Sequence, residues 1–174
     1  MKHLIIFSSI ALCLLLSGVT QGQGTQNQNS FIQKRNIVDI TTGGNGLVAS
    51  VNYSRLFILN KKWFMNISAG IGTTVPLIGG FTLPHQLTLN YGEKSNLLEI
   101  GIGGSYWQGK SDASAFEENL YSYNLSPVIG WRKHWENNFV LRVYVNPIIH
   151  VSGEYYIENY SIIPYAGISF GYAF

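Results

Sequence analysis

The C-terminal segment constrains the fold more than any other part of the chain. Ile162, Pro164, Ala166, Ile168, Phe170, Tyr172 and Phe174 alternate without a break with Ile163, Tyr165, Gly167, Ser169, Gly171 and Ala173. A period of two puts successive side chains on opposite faces of a β-strand and does not suit a helix. One face is large and oily; the other shrinks towards Gly, Ser and Ala. The alternation recurs over residues 36–43, 47–57, 63–73, 83–91, 97–107, 121–131 and 138–150, which makes eight strands in all. No window after residue 36 shows a convincing 3.6 repeat. The alternative is a single strand over residues 36–57, bent at Gly43, Gly44 and Gly46, which leaves seven.

Such strands build either a soluble barrel or sandwich with the oily face inside, or a membrane barrel with the oily face outside. Composition separates the two. The chain is 46% apolar and 14% aromatic but only 11% charged, where a soluble domain carries about 25%. The second face is Gly, Ser, Asn and Tyr, as in Glu99, Gly101, Gly103 and Ser105 opposite Leu98, Ile100, Ile102 and Tyr106. That is poor surface for water but good filling for a narrow lumen. An open sheet edge in hydrocarbon would leave amides unpaired, so the sheet has to close. The reading is an all-β fold: an eight-stranded antiparallel up-and-down transmembrane β-barrel over residues 36–174. Trp63, Tyr91, Tyr106, Trp131, Tyr172 and Phe174 fall at segment ends. Of these, Trp63, Tyr91, Trp131, Tyr172 and Phe174 are the membrane-rim candidates, because Tyr and Trp favour the headgroup level.

The connections alternate in length. Asn60–Lys62, Gly92–Asn96 and Arg132–Asn137 are short; 76–82, 108–118 and 151–160 are longer on the whole. In membrane barrels the short turns and both chain ends face the periplasm. The glycine-rich stretch Thr42–Gly46 is then a tight outer turn. The short-turn side collects Lys34, Arg35, Arg55, Lys61, Lys62, Lys94, Arg132 and Lys133 against Glu93 and Glu136. The long-loop side collects Asp112, Glu117, Glu118, Glu154 and Glu158 against Lys110. A basic rim suits anionic lipid heads, although turns are also simply where charges can be solvated.

Residues 1–22 read as a secretory signal, with Lys2 ahead of the apolar run Leu4–Leu16, too short to span a bilayer. Residues 23–35 read as a flexible periplasmic leader. The single Cys, Cys13, lies within the signal, so no disulfide and no cysteine-based metal cluster is expected. Leu12 before it is not the small residue of a lipoprotein signal. A net charge of +2 with no dense basic run argues against nucleic acid.

Three motifs stand out: the final strand Ile163–Phe174, ending in an aromatic; Gly43-Gly44-Asn45-Gly46 running into Val51–Phe57; and Asn124-Leu125-Ser126-Pro127-Val128-Ile129-Gly130-Trp131. With these the chain resembles a Gram-negative outer-membrane β-barrel, and is similar in particular to the small porin-like barrels of Bacteroidota. The resemblance implies location in the cell outer membrane and recognition of the C-terminal strand by the outer-membrane assembly machinery. It implies no catalytic residue.

An eight-stranded lumen holds side chains or one small ligand, so no open pore is expected. The polar lumen candidates are Glu99, Arg142, Asp39, Tyr144 and Asn124, joined by Asn52, Asn66, Asn146 and Tyr165. A buried Glu99 needs a partner, and Arg142 can supply one across a narrow barrel. His85 and His150 near the outer end could serve a lipid-active enzyme with Ser152, Asp112 or Glu154, but no motif supports it. His134 falls in a short turn. No cofactor and no metal is expected.

The first functional reading is a structural or surface-interaction role. Its partners are outer-membrane lipids, the assembly machinery and a surface protein met by Phe81, Tyr155, Tyr156 and Tyr160; the chain is expected to be a monomer. The alternatives are passage or binding of a small apolar molecule through a laterally open barrel, marked by Pro127 or Pro147, a lipid-active enzyme, and a secreted soluble barrel with a lipid inside.

Overall fold

The computed structural model describes residues 34–74, 80–111, 118–153 and 162–174. The signal and most of the leader, and loop residues such as Asp112, Glu117, Glu154, Tyr155, Tyr156, Glu158 and Tyr160, lie outside them. The strands are β1 (Asn36–Gly43), β2 (Ala49–Ile58), β3 (Trp63–Thr73), β4 (Gly80–Tyr91), β5 (Asn96–Ser111), β6 (Glu118–His134), β7 (Phe139–Val145), β8 (Ile148–Gly153), β9 (Ile162–Ile163) and β10 (Ala166–Ala173). Neighbours in sequence pair antiparallel from β1 to β7, β10 pairs with both β7 and β1, and the sheet is closed.

Two of these strands are continuations. Asn146 and Pro147 interrupt one strand between β7 and β8; Pro164 and Tyr165 interrupt another between β9 and β10. The registers carry through both breaks. Counted in this way the barrel has eight staves, and residues 36–57 form two of them, not one. Following paired residues once round, from Ile37 through Ser54, Ser68, Gln86 and Gly103 to Ile148 and Ile163, climbs about ten residues, the stagger of a tilted barrel.

Local chemistry sets the short turns. The Asn60 carboxamide oxygen accepts the N–H of Lys62 at 2.9 Å and of Trp63 at 3.0 Å, an Asx turn between β2 and β3. Between β6 and β7, Asn138 takes the left-handed conformation its short polar side chain tolerates (φ 68). Asn36 N–H donates to the Phe174 carbonyl, which ties the two ends of the barrel sequence together at the short-turn end.

The alternation sorts the side chains as the hydrophobic pattern requires. Ile40, Ile71, Ile100, Ile168 and Phe170 are all more than half exposed on the exterior; Asp39, Glu99 and Ser169 are buried inside. No helix among the described residues is long and apolar enough to cross a membrane; the spanning elements are strands. A closed wall with an apolar exterior and a polar interior is the architecture of an up-and-down transmembrane barrel.

Three expectations are corrected. Thr42–Gly46 does form a tight turn between β1 and β2, but it does not project from the barrel end: a 3₁₀ turn, Gly44–Gly46, folds into the lumen, with Gly44, Asn45, Gly46 and Leu47 all buried. Leu47 therefore leaves the oily exterior face. Arg132 and His134 are not in a short turn, because β6 runs on to His134 and alternation turns both side chains inward, where both are buried. The lumen is also not filled by small polar residues alone. Ile37, Leu56, Phe64, Leu97, Val140 and Ala173 form an apolar floor at the short-turn end. Leu47, Trp107 and Ile148, with Ile163 and Tyr165, form a second apolar cluster near the long-strand end.

Candidate functional site

The candidate site is the polar lumen between those two apolar layers. Glu99 on β5 is its hub. Arg132 Nε donates to Glu99 Oε2 at 2.8 Å, and Arg142 Nε reaches the same oxygen at 3.2 Å. Arg142 Nη2 also pairs with Glu99 Oε1 and donates to Gln86 Oε1 at 2.8 Å. All three ionic side chains are nearly or fully buried. A carboxylate withdrawn from water is tolerated only with such partners, and two guanidiniums side by side are tolerated only with the carboxylate between them. The sequence pointed to Glu99 and Arg142; it missed Arg132.

Asp39 on β1 is a second hub. Its Oδ1 accepts from Thr41 Oγ1 at 2.9 Å, Asn52 Nδ2 at 3.0 Å and Ser169 Oγ at 2.8 Å, tying β1 to β2 and β10. Tyr144 links this layer to the inserted turn. Its ring lies 5.0 Å from the Arg142 guanidinium carbon, a cation–π contact. Its hydroxyl end abuts Gly44 and Gly167: a Cβ on Gly44 would stand 2.1 Å from the Tyr144 oxygen, and one on Gly167 2.7 Å. Gly44 also holds φ +62, so glycine is required there twice over.

The inserted turn is fastened from several sides. Asn45 Oδ1 accepts from Ser126 Oγ at 2.6 Å and Asn146 Nδ2 at 2.7 Å. Tyr165 donates its hydroxyl to the Leu47 carbonyl at 2.9 Å, and Thr82 to that of Gly46 at 3.3 Å. Under the turn is a pocket with room for about one water molecule, lined by Asn45, Ser50, Asn52, Gln86, Arg142 and Tyr144 among others.

Asn124 is not brought to Glu99. It bonds Ser122 Oγ from Nδ2 at 3.2 Å in a separate group higher in the lumen, where Ser122 Oγ lies 3.1 Å from His150 Nδ1. His85 is on the other face of the wall, its ring stacked on Tyr123 with Nε2 2.9 Å from the Tyr123 hydroxyl. His85 and His150 thus do not share a site, and Ser152 is exposed. Among the described residues no group of three His, Cys, Asp or Glu could hold a metal.

The rim candidates Trp63, Tyr91, Trp131, Tyr172 and Phe174 are all exposed on the exterior at the short-turn half of the barrel. Trp63 and Tyr91 face each other across β3 and β4 with ring centroids 4.8 Å apart. Phe139, not singled out in the sequence, packs its ring between Phe170 at 5.2 Å and Tyr172 at 5.5 Å. Towards the other end Phe81 lies 6.5 Å from Tyr106. In the β2–β3 and β4–β5 turns, Lys62 and Glu93 pair; hydrogen bonding to Lys62 holds the Glu93 carboxyl below its usual range, and Glu93 raises the Lys62 ammonium.

No family model matches the chain, and no curated protein matches it. Two solved structures are similar. One is the N-terminal β-barrel domain of Pseudomonas aeruginosa OprF, with TM-score 0.54 and 13% identity over 80% of this chain and 96% of that one. The other is the Yersinia pestis outer membrane protein Ail in a phospholipid bilayer nanodisc, with TM-score 0.42 and 12% identity over 82% of this chain and 100% of that one. At such identity the OprF likeness bears on the fold alone, and it agrees with the closed barrel built above from the registers.

Proposed function

We propose that this chain is a small, non-conducting outer-membrane β-barrel with a structural or surface-interaction role. The observation that carries the reading is the filled lumen inside an apolar wall. An apolar floor, the Glu99–Arg132–Arg142 group, the Asp39 group and the inserted Gly44–Gly46 turn follow one another along the axis. Nothing larger than a water has room in the pocket beneath the turn.

On this reading the polar residues brace the barrel from within, and the contact surface for a partner is the long-loop end. The short turns and chain ends face the periplasm, and the basic residues Lys61, Lys62 and Lys94 there meet lipid heads. The C-terminal strand β10 is the assembly signal. The aromatic residues around both ends sit at headgroup level. The similarity to Bacteroidota barrels rests on the sequence motifs.

The test is a pair of epitope insertions read on intact cells. A tag within residues 112–117 is expected to bind antibody from outside, and one between Asn60 and Lys62 only after the cells are opened. The purified chain in planar bilayers is expected to give no steady conductance. A surface-exposed tag at 60–62, or ohmic single-channel steps, overturns the reading.

A further inference from the structure

The outer wall carries the same group of residues twice. Among the described residues, the cations that face outwards from strand positions in the short-turn half are Arg55 on β2 and Lys133 on β6. Their chain neighbours Ser54, Leu56, Arg132 and His134 are buried in the lumen, so alternation turns both cations to the exterior. Each stands between two outward aromatics: Tyr53 and Phe57 flank Arg55, and Trp131 and Trp135 flank Lys133. Each faces an asparagine on the preceding strand, Asn36 opposite Arg55 and Asn96 opposite Lys133. Each faces an aliphatic residue on the following strand, Ile67 opposite Arg55 and Leu141 opposite Lys133. β2 and β6 are four staves apart in a barrel of eight, so the two groups lie on opposite sides.

The geometry holds each cation towards the rim. The Arg55 guanidinium carbon lies 6.0 Å from the Phe57 ring centroid, and Lys133 Nζ lies 5.2 Å from that of Trp135. In both groups this aromatic is two residues nearer the short turns. The aliphatic stem therefore runs along the wall and the charge reaches for the headgroup level. Arg55 Nη1 donates to Asn36 Oδ1 at 3.1 Å, and Tyr53 donates its hydroxyl to the same oxygen at 2.9 Å. A guanidinium only donates, so the Asn36 oxygen is the end turned to it and Nδ2 is left as a donor on the other side. Val38, Val51 and Ile67 are exposed beside Arg55, and Leu98 beside Lys133. The acids of this end, Glu93 and Glu136, lie in the turns beyond, and Glu93 is already paired with Lys62. Cationic N–H groups, an amide donor and an aromatic face beside bare aliphatic surface suit one anionic head joined to apolar tails.

We propose that Arg55 with Asn36, and Lys133 with Asn96, each bind the phosphate of one phospholipid in the leaflet next to the short turns, its acyl chains lying on the aliphatic residues alongside. A cation on the lipid-facing wall, inside the aromatic rim, is costly by itself. A phosphodiester supplies both the opposite charge and oxygens for the N–H groups. A net-anionic lipid such as phosphatidylglycerol is favoured, because its head brings no ammonium to repel the site's own cation. The apolar wall beside each cation makes the partner a lipid and not free phosphate. The proposal rests on the lipid-facing exterior of the closed-barrel reading and adds two fixed lipid positions to it.

The experiment places the protein in bilayers of phosphatidylcholine with a minor share of phosphatidylglycerol. In rotational-echo solid-state NMR, lipid phosphorus is expected to dephase the Arg55 guanidinium carbon and to leave those of the buried Arg132 and Arg142 unchanged. Native mass spectrometry after release into mild detergent is expected to show two phosphatidylglycerols held by the unmodified chain, one by Arg55→Gln or Lys133→Gln, and none by the double variant. Lys34→Gln/Arg35→Gln, the same loss of charge just ahead of β1, should keep both. Glycerophosphoglycerol, the head without tails, should displace neither. Unchanged retention in the double variant, or an Arg55 carbon that lipid phosphorus does not reach, overturns the proposal and leaves the closed barrel standing. Equal loss from Lys34→Gln/Arg35→Gln overturns it too, by reducing it to general rim charge. Displacement by the tail-less head overturns lipid as the partner. Dephasing at Arg132 or Arg142 in place of Arg55 overturns the proposal and the filled lumen of the closed-barrel reading together.

Discussion

The two halves of the barrel are built differently. Towards the short turns the β6–β7 register is unbroken from Ile129 opposite Val145 to His134 opposite Val140, and β1 pairs with β10 from Gly43 to Ile37. That half encloses the ionic group and the apolar floor. Towards the long strands, Pro127, Pro147 and Pro164 fall opposite one another across the wall. Trp135 N–H donates to the Phe139 carbonyl, so the outward-facing pairs of the β6–β7 seam are the bonded ones, and the Pro127–Pro147 pair has no N–H for its rung. Inside that half a loop tip packs among the side-chain layers. The lesson is that the same polar-in, oily-out pattern supports both a locked half and a compliant one. The difference lies in which rungs have donors and in whether buried charge is present.

The largest way to break this contrast is Glu99→Gln. It leaves two buried guanidiniums facing each other without their carboxylate. The expected cost is about 3–5 kcal/mol in equilibrium unfolding from lipid vesicles. The triple change Glu99→Leu, Arg132→Met and Arg142→Met removes all three charges and should cost less than Glu99→Gln alone. If the triple variant is the worse of the two, the charges are not acting as one group.

Next comes one truncation made in both halves. Ile37→Ala in the floor and Ile148→Ala in the upper apolar cluster each delete a buried isoleucine. The floor variant is expected to lose about 2–5 kcal/mol. The upper variant should lose clearly less, because a wall crossed by a rung without donors collapses more readily onto the vacated space. Equal losses would mean that the upper half is as rigid as the lower.

A smaller effect sharpens the comparison from the other side. Pro127→Ala/Pro147→Ala supplies two ladder donors, each worth about 0.5–1.5 kcal/mol. Both new amides should resist hydrogen exchange as well as their neighbours do. Fast exchange at either position would show that the rung does not re-form. The smallest effect belongs to the exposed Lys62–Glu93 pair: Glu93→Gln at neutral pH should leave the unfolding midpoint unchanged.

Much of this was legible in the sequence because period two is a local signal. Each strand shows it alone, and the near-absence of charge then chooses which face meets lipid. Arg132 was missed because Trp131-Arg132-Lys133-His134 looks like a charged turn; the usable signal was that alternation from Val128 and Gly130 simply continues through Arg132 and His134. The inward course of Gly44–Gly46 was not legible. Its anchors, Ser126, Asn146 and Tyr165, are distant in the chain, and glycine permits either direction. The proline row was half legible. Pro127 and Pro147 are visible singly as breaks, but their loss of both bonds at one rung depends on register, which the sequence does not state.

The direct test of the account is which face of a strand the membrane's hydrocarbon touches. Leu87→Cys and Ile168→Cys place a thiol on the exterior, and Thr88→Cys and Ser169→Cys place one in the lumen on the same two strands. In sealed vesicles a maleimide that partitions into the bilayer should label positions 87 and 168 and leave 88 and 169 unlabelled. Labelling at 88 and 169 with silence at 87 and 168 would contradict the account.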